Sequence, residues 1–376
     1  MTILILIGVI VLAIAVESAV YRRRWSEGIR TRVGFDSDRS FEGGTAELVE
    51  VVEHGGRLPF PWLTVKFRAS SELTIPDSEN SNVTDYYYRE DMFAIKRGER
   101  ITRRLPVACH KRGVYSVGSV DLLTSDIFMT QRMVENRGGG AQIVVYPKPV
   151  NVGELSFETR KVMGDVIVKR STVEDPFVFR GIRDYVPGDP VRSVNWRASA
   201  RADRMEVNQY ESTASLSVEL WLNVDRGAGW VEGQLVEESI RVAAGIASDF
   251  IGRGIPVGLF TNALDYMSDE ETRIECGCSP QHADSICTAL ARIDTMKLPR
   301  HMFEVVSELA GAAQTGDLII LISQDLPMSL IKRVDELRQA GRDILWVVPA
   351  PEDEPPATER LAAFDNVFVW SVKCDG

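Results

Sequence analysis

The stretch that decides the fold reads SLSVELWLNV over Ser215–Val224, VEGQLVEESIRVAAGIASDFI over Val231–Ile251 and IPVGLFT over Ile255–Thr261. The first and third segments are short and almost continuously apolar, the pattern of strands buried on both faces. Between them Val231, Leu235, Ile240, Ala243, Ile246, Ala247 and Phe250 fall mostly at helical spacings. Strand, helix and strand in that order predict a parallel βαβ unit.

The alternation continues downstream. Helices are expected over Gln281–Ile293, Arg300–Ala313 and Pro327–Ala340, the last ended by Gly341, and strands over Leu318–Ser323, Asp343–Val348 and Val367–Val372. Residues 211–376 therefore read as an α/β domain with a mostly parallel, covered sheet. Pro349–Thr358, with its prolines and acids, reads as a surface loop. Upstream, Ala46–Val52, Leu63–Ala69, Val107–His110 and Gln142–Tyr146 are short β-branched or aromatic segments with Gly, Pro, Asn and Asp between them. Residues 27–150 are thus expected to form an all-β, immunoglobulin-like sandwich. The connecting segment, 151–210, is expected to begin with a short helix over Glu154–Lys169 and to be extended over Val173–Phe179.

With 376 residues and 44% hydrophobic composition, the chain can bury two or three cores. A net charge of -11 argues against a general nucleic-acid binder, which needs clustered Lys and Arg for the phosphate backbone. At the amino terminus Thr2–Val16 carries no charge, and residues 1–21 would rise about 31 Å as a helix, one hydrocarbon thickness. Glu17 interrupts the apolar run near one end; Arg22-Arg23-Arg24 follows, flanked by Tyr21 and Trp25. The positive-inside rule then predicts a single-pass protein of the cell membrane, held by the lipid bilayer through this helix, with the bulk of the chain cytoplasmic. No basic segment precedes the apolar run and no small-x-small site follows it, which favours a retained anchor over a cleaved signal peptide. Five scattered cysteines, at 109, 276, 278, 287 and 374, form no disulfide framework and agree with a reducing compartment. Cys276, Cys278, His282 and Cys287 are zinc-ligand types, but their spacing lacks a Cys-x2-Cys knuckle, and they are expected as free side chains in a loop running into a helix.

The segment before the α/β domain is dense in paired charge: residues 183–201 read RDYVPGDPVRSVNWRASAR. Arg183, Arg192, Arg197 and Arg201 alternate with Asp184, Asp189 and, further on, Glu206. Arginine forks suit carboxylates or phosphates. Three readings stay open: a partly buried salt-bridge lattice locking one domain to the next, a partner or ligand surface, and a catalytic centre using Asp184 and Asp189. For the last, no neighbouring Cys, His or activated Ser supplies a nucleophile.

This segment resembles the signature of the bacterial domain of unknown function 58 family, aromatic-Arg-x-Tyr-x-x-Gly-Asp-x-x-Arg-x-Ile-(Asp/Asn)-Trp-x-x-x-Ala-Arg. The matching residues are Arg183, Tyr185, Gly188, Asp189, Arg192, Val194, Asn195, Trp196, Ala200 and Arg201. Further likeness extends over most of the chain. Lys111–Gly118 followed by Asp126-Ile127-Phe128 resembles the family's approach to an Asp-Pro-Phe-Gly turn, with Ile127 and Met129 in place of Pro and Gly.

The resemblance implies a membrane-tethered protein whose α/β part is a von Willebrand factor A-like, Rossmann-like domain. Such proteins are often encoded beside MoxR-type AAA+ ATPases and transglutaminase-like proteins. In that fold an adhesion-type Mg²⁺ site begins Asp-x-Ser-x-Ser; here the stretch is Asp225-Arg226-Gly227-Ala228-Gly229, without either hydroxyl. Asp225, Ser323 and Asp325 are the remaining candidate ligands, and Asp225 is expected instead at a strand end or helix cap. No cofactor and no catalytic residue is expected. The functional expectation is a non-enzymatic, membrane-anchored cytoplasmic adaptor partnering a MoxR-type AAA+ ATPase, with a transglutaminase-like membrane protein as a further partner. Its alternative is a metal-dependent ligand binder or enzyme using Asp184, Asp189 and Arg192, or Asp225 and Asp325.

Overall fold

The computed structural model describes every residue except 1, 59, 61, 71, 75–80, 84–85, 139, 171–178, 187–188, 190, 211–215, 226–229, 298–299, 311–317, 354–357, 363 and 375–376. The chain divides into one compact unit over Met1–Lys148 with Leu290–Arg292, and a second over Pro149–Ala289 and Ile293–Gly376.

The first unit opens with helix α1 (Thr2–Arg24), long and apolar enough to cross a membrane. Eleven strands follow: β1 (Ile29–Phe35), β2 (Arg39–Phe41), β3 (Thr45–His54), β4 (Leu63–Ser70), β5 (Leu73–Thr74), β6 (Ser81–Val83), β7 (Tyr86–Phe93), β8 (Arg100–Cys109), β9 (Gly113–Ser125), β10 (Arg132–Arg137) and β11 (Ala141–Tyr146). One sheet has the order β1-β3-β8-β5; the other runs β2-β11-β9-β4-β7-β6, with β10 also on β9. Period-2 alternation turns Leu48, Val52, Leu105 and Val107 of the first sheet and Val65, Phe67, Val117 and Leu122 of the second into one common core. Strand β8 begins seven residues before the expected Val107, because its outer half alternates charged residues with Ile101 and Thr102 and so lacks an apolar run.

The core of this unit extends into α1. Tyr21 and Trp25 are buried with Ile29, and Tyr21 meets Phe60 edge-on at 6.3 Å. Arg137 Nη2 donates to the Ser26 carbonyl (2.9 Å), and its Nη1 donates to that of Ile29. The helix therefore enters the β layers without a hinge.

The core face of β3 also carries charge. Glu50 lies opposite Arg103 of β8 and faces Asp91 of β7, which pairs with Arg89 (2.6 Å) and Arg103. Glu50, Asp91 and Arg89 are all buried. Burial first, and then the Asp91 charge and a hydrogen bond to it, push the Glu50 carboxyl up to about 8 against the opposing pull of Arg103 and Arg89. This environment favours the protonated form of the Glu50 carboxyl.

The second unit comprises α2 (Gly153–Arg170), β12 (Phe179–Asp184), α3 (Trp196–Ala202), β13 (Glu206–Tyr210), β14 (Val218–Leu222), α4 (Trp230–Gly252), β15 (Val257–Asp265), β16 (Glu271–Gly277), α5 (Pro280–Arg292), β17 (Ile293–Asp294), α6 (Met302–Ala310), β18 (Leu318–Ile322), α7 (Met328–Gln339), β19 (Asp343–Pro351) and β20 (Val367–Val372). Its sheet has the order β16-β15-β14-β18-β19-β20, parallel throughout except that β16 on one edge and the short β17 both pair antiparallel with β15. Strands β14 and β18 are buried at every residue; β18 is an unbroken apolar run, and in β14 the one charged residue, Glu219, is buried and accepts from Trp221 Nε1 (3.0 Å). The direction of winding reverses between them, so the carboxyl ends Asn223–Asp225 and Ser323–Asp325 meet at the switch point where open α/β sheets place their crevice.

Three expectations need correction or limitation. Cys276 lies in β16, a half-exposed edge strand, rather than in a loop; its register is set by pairing with β15. Pro349–Pro351 continues β19, pairing with Trp370–Val372. That stretch of β19 has left β18 behind at Val347, so the missing proline N–H groups break no ladder on that side. The extended stretch expected over Val173–Phe179 lies, apart from Phe179, outside the described residues.

Candidate functional site

The signature folds into a small structure of its own within the second unit. Strands β12 and β13 pair antiparallel, and an added bridge joins Val194 to Val207, both buried. The chain between them must leave β12, turn and return. Asp189 holds that turn: Arg183 donates Nη1 to Asp189 Oδ2 (2.7 Å) and Nη2 to Oδ1 (2.8 Å), and the Val186 N–H also donates to Oδ2 (2.8 Å). This bidentate, charge-assisted geometry is the one a guanidinium is shaped for. The Arg183 hydrogen bond first, and the Val186 N–H second, hold the Asp189 carboxyl down at about 2.

Beyond the turn, Asn195 caps α3. Its Oδ1 accepts the Ala198 N–H (3.0 Å), its Nδ2 donates to Asn208 Oδ1 (2.7 Å), and its own N–H donates to the Glu206 carbonyl (2.8 Å). Ser199 locks the other side, donating to the Asn195 carbonyl (2.8 Å) and accepting the Glu206 N–H (2.8 Å). Asp184 pairs with Arg204 (3.2 Å), and the Tyr185 N–H donates to the Met205 carbonyl. Ser199 and Arg204 were absent from the sequence-derived set. Their signal, a hydroxyl four residues after an N-cap and a cation two before Glu206, is too common to stand out.

These bonds stiffen the backbone and leave a mixed apolar and basic surface. Trp196 is 65% and Val191 68% exposed, while Ile182, Val186 and Met205 also face solvent. Arg197 and Arg201 are exposed and form no ion pair among the described residues. Among the described residues the motif's ion pairs are local ones around a pinned turn, Arg183 with Asp189 and Arg204 with Asp184 and Glu206. Gly188 and the Arg192 side chain lie outside the described residues.

The second sequence-derived set gathers at the β14–β18 switch point. Asp225 Oδ1 accepts from Asn262 Nδ2 (3.0 Å), and Oδ2 accepts the Met302 N–H at the start of α6 (2.9 Å). Asn262 also receives the Val224 N–H and donates to the Arg300 carbonyl, and Gln324 donates to the Asp225 carbonyl. Ser323 accepts from Asn223 (2.9 Å) and donates to the Asp325 carbonyl. Burial raises the Asp225 carboxyl above the ordinary aspartate range, opposed by the Met302 N–H and His301 and assisted by the Asp325 charge. Asn223, Asn262 and Ser323 are fully buried. This lattice ties the strand ends to α6, and Asp225 serves as the helix-capping residue expected of it. It does not fit a hard cation: both Asp225 oxygens and the Ser323 hydroxyl are committed to protein donors and acceptors, and among the described residues no group of three or more His, Cys, Asp or Glu side chains is placed to hold a metal ion.

The remaining candidate ligands are dispersed in their roles. Cys276 Sγ lies 3.7 Å from the Val218 carbonyl, His282 Nε2 is 2.7 Å from that of Val257, and burial pushes the Cys287 thiol up to about 11.

No curated protein matches the chain. Among solved structures, a cohesin module from a Clostridium perfringens family 33 glycoside hydrolase is 9% identical, with 32% of this chain and 97% of that one covered and a TM-score of 0.25. A CARDB domain from Pyrococcus furiosus is 14% identical over 32% and 90% of the two chains (TM-score 0.22), and a Clostridium acetobutylicum cohesin 12% over 31% and 90% (TM-score 0.21). By sequence, the model of the family described as protein of unknown function DUF58 matches residues 181–326, a stretch that holds both the pinned turn at Asp189 and the strand ends at Asp225 and Ser323.

Proposed function

We propose that this chain is a non-enzymatic, membrane-anchored adaptor. In this reading α1 crosses the cell membrane once, with Arg22–Arg24 on the cytoplasmic side. The β unit is an immunoglobulin-like sandwich. The α/β unit is von Willebrand factor A-like, a reading supported by its strand order with one antiparallel edge. The surface over 182–205 docks a MoxR-type AAA+ ATPase for the assembly or remodelling of other proteins, and a transglutaminase-like membrane protein is a further partner.

The observation that carries the proposal is Trp196: a large aromatic left 65% exposed on a short helix whose start is capped and cross-bonded. Tryptophan and arginine are the residue types that dominate binding hot spots, and a surface already rigid pays little ordering entropy on docking. Full-length protein captured from detergent-solubilised membranes is expected to bring down an AAA+ ATPase in stoichiometric amount. Trp196→Ala is expected to lose it while melting like the parent. An ATPase absent from the parent capture, or retained by Trp196→Ala, would refute the reading.

A further inference from the structure

The connection between β9 and β10 is a tight turn whose tip projects three apolar side chains, followed by the exposed Thr130 and Gln131. Ile127, Phe128 and Met129 are 46, 56 and 67% exposed, three consecutive large hydrophobic residues at one tip. The turn under them is rigid. Asp126 is fully buried, its carboxylate accepts the N–H groups of Thr130 (2.6 Å) and Gln131 (3.2 Å) together with the Thr130 hydroxyl, and its carbonyl accepts the Met129 N–H (3.0 Å). Met129 has a φ of 55°, a left-handed backbone that glycine adopts freely and a side-chain-bearing residue adopts at a cost. The chain thus holds a strained position to display a flexible apolar side chain where a bare turn would suffice for the fold.

The position of this tip is what gives it meaning. The Ile127 N–H donates to Glu17 Oε1 at 3.0 Å, so the tip lies against α1 inside its apolar stretch. The helix does not swing away from it, because Tyr21 and Trp25 are part of the core of the same unit. A span over residues 1–21 places Glu17 about 6 Å inside the end marked by Tyr21, at roughly 1.5 Å per residue. The tip is at the same depth. Glu17, the one acid of the span, has an oxygen occupied by a backbone donor there, which lowers the cost of its immersion. Arg132, opposite Ser125 at the base of the hairpin, is exposed, as are Arg22–Arg24, leaving cations at headgroup level below the apolar tip. Met92, 66% exposed, adjoins Phe93, whose strand partner Leu63 pairs with Thr124, so this end of the sheet carries another apolar side chain.

We infer that Ile127, Phe128 and Met129 insert into the hydrocarbon of the membrane that holds α1, so that the β unit is seated on the bilayer by two contacts and not suspended from one helix. The inference rests on the membrane-span reading of α1.

The test uses the full chain in nanodiscs of phosphatidylethanolamine and phosphatidylglycerol, with the photoreactive p-benzoylphenylalanine placed singly at 128, at 129, at Val11 in the helix, or at Phe41, an exposed aromatic on β2 at the opposite end of the β9 sheet. Melting in detergent checks that each variant is folded. Irradiation is expected to add one phospholipid mass at 11, 128 and 129 and none at 41. Adducts at 11 alone would overturn the seating of the tip and leave the span intact. A cross-link from 128 to a second copy of the chain would overturn it in favour of self-association. No adduct at 11 would refute the span itself and the inference with it.

Discussion

Arg183 holds Asp189 with both arms of its guanidinium, at 2.7 and 2.8 Å, six residues apart across a turn whose Val186 N–H the same carboxylate accepts. The pair is at the surface, so it fixes a local shape more than it stabilises the fold. Asp189→Ala is expected to leave the melting temperature of the full chain almost unchanged and to abolish ATPase capture. Unfolding would return the signature to a purely structural role.

The same pair sets an acid limit. A carboxyl held below its free value of 3.8 contributes fully above that value and loses its contribution as pH falls through about 2. Capture at pH 5 is therefore expected to equal capture at pH 7. A sharp loss between them would show that another group governs docking.

Glu50 behaves in the opposite sense. Its folded value, about 8, exceeds the free value of 4.5, so its contribution is complete below 4.5 and is lost as pH rises toward and through 8. Glu50→Gln keeps a donor toward Asp91 and cannot ionise. It is expected to melt above the parent at pH 9, by on the order of 1–3 kcal/mol, and to lose that advantage at pH 5. Equal melting at both pH values, followed by differential scanning calorimetry, would place Glu50 in a more solvated site.

Asp225 caps α6 from a strand end 77 residues away in sequence. Asp225→Ala orphans the Met302 N–H and one Asn262 bond and is expected to cost about 1–3 kcal/mol in urea unfolding. Adding Mg²⁺ or Mn²⁺ to the parent is expected to leave its melting temperature unchanged; a rise that grows with cation concentration would reveal a metal site.

Tyr21 and Trp25 belong to the β core, which separates anchor removal from core damage. Deleting residues 2–16 is expected to move the chain to the soluble fraction with little loss of stability. Deleting 2–25 removes both aromatics and is expected to cost at least about 3–5 kcal/mol, seen as aggregation or a much lower melting temperature.

What the sequence by itself determined is what depends on near neighbours. The uncharged run before Glu17, the largely apolar strands β14 and β18, the helical spacing from Val231 to Phe250 and the Gly341 stop all express the local periods of helix and strand, and α4, β14 and β18 lie within a few residues of their expected places. The hairpin of β12 and β13 was invisible because its residues are half polar and its pairing spans more than twenty positions. Strand β16, ETRIECG, has no apolar run and becomes a strand only because β15 offers it an edge. Nothing local marks Glu50 and Asp91 as buried; the packing of two sheets encloses them with Arg89. The signature residues were legible as a charged motif, but which of them pair, and that Trp196 is left outside, was decided by tertiary structure. So were the capping of α6 by Asp225 and the meeting of Glu17 with Ile127. Each joins residues distant in the chain, and such contacts follow from how whole sheets and helices pack, which no local period encodes.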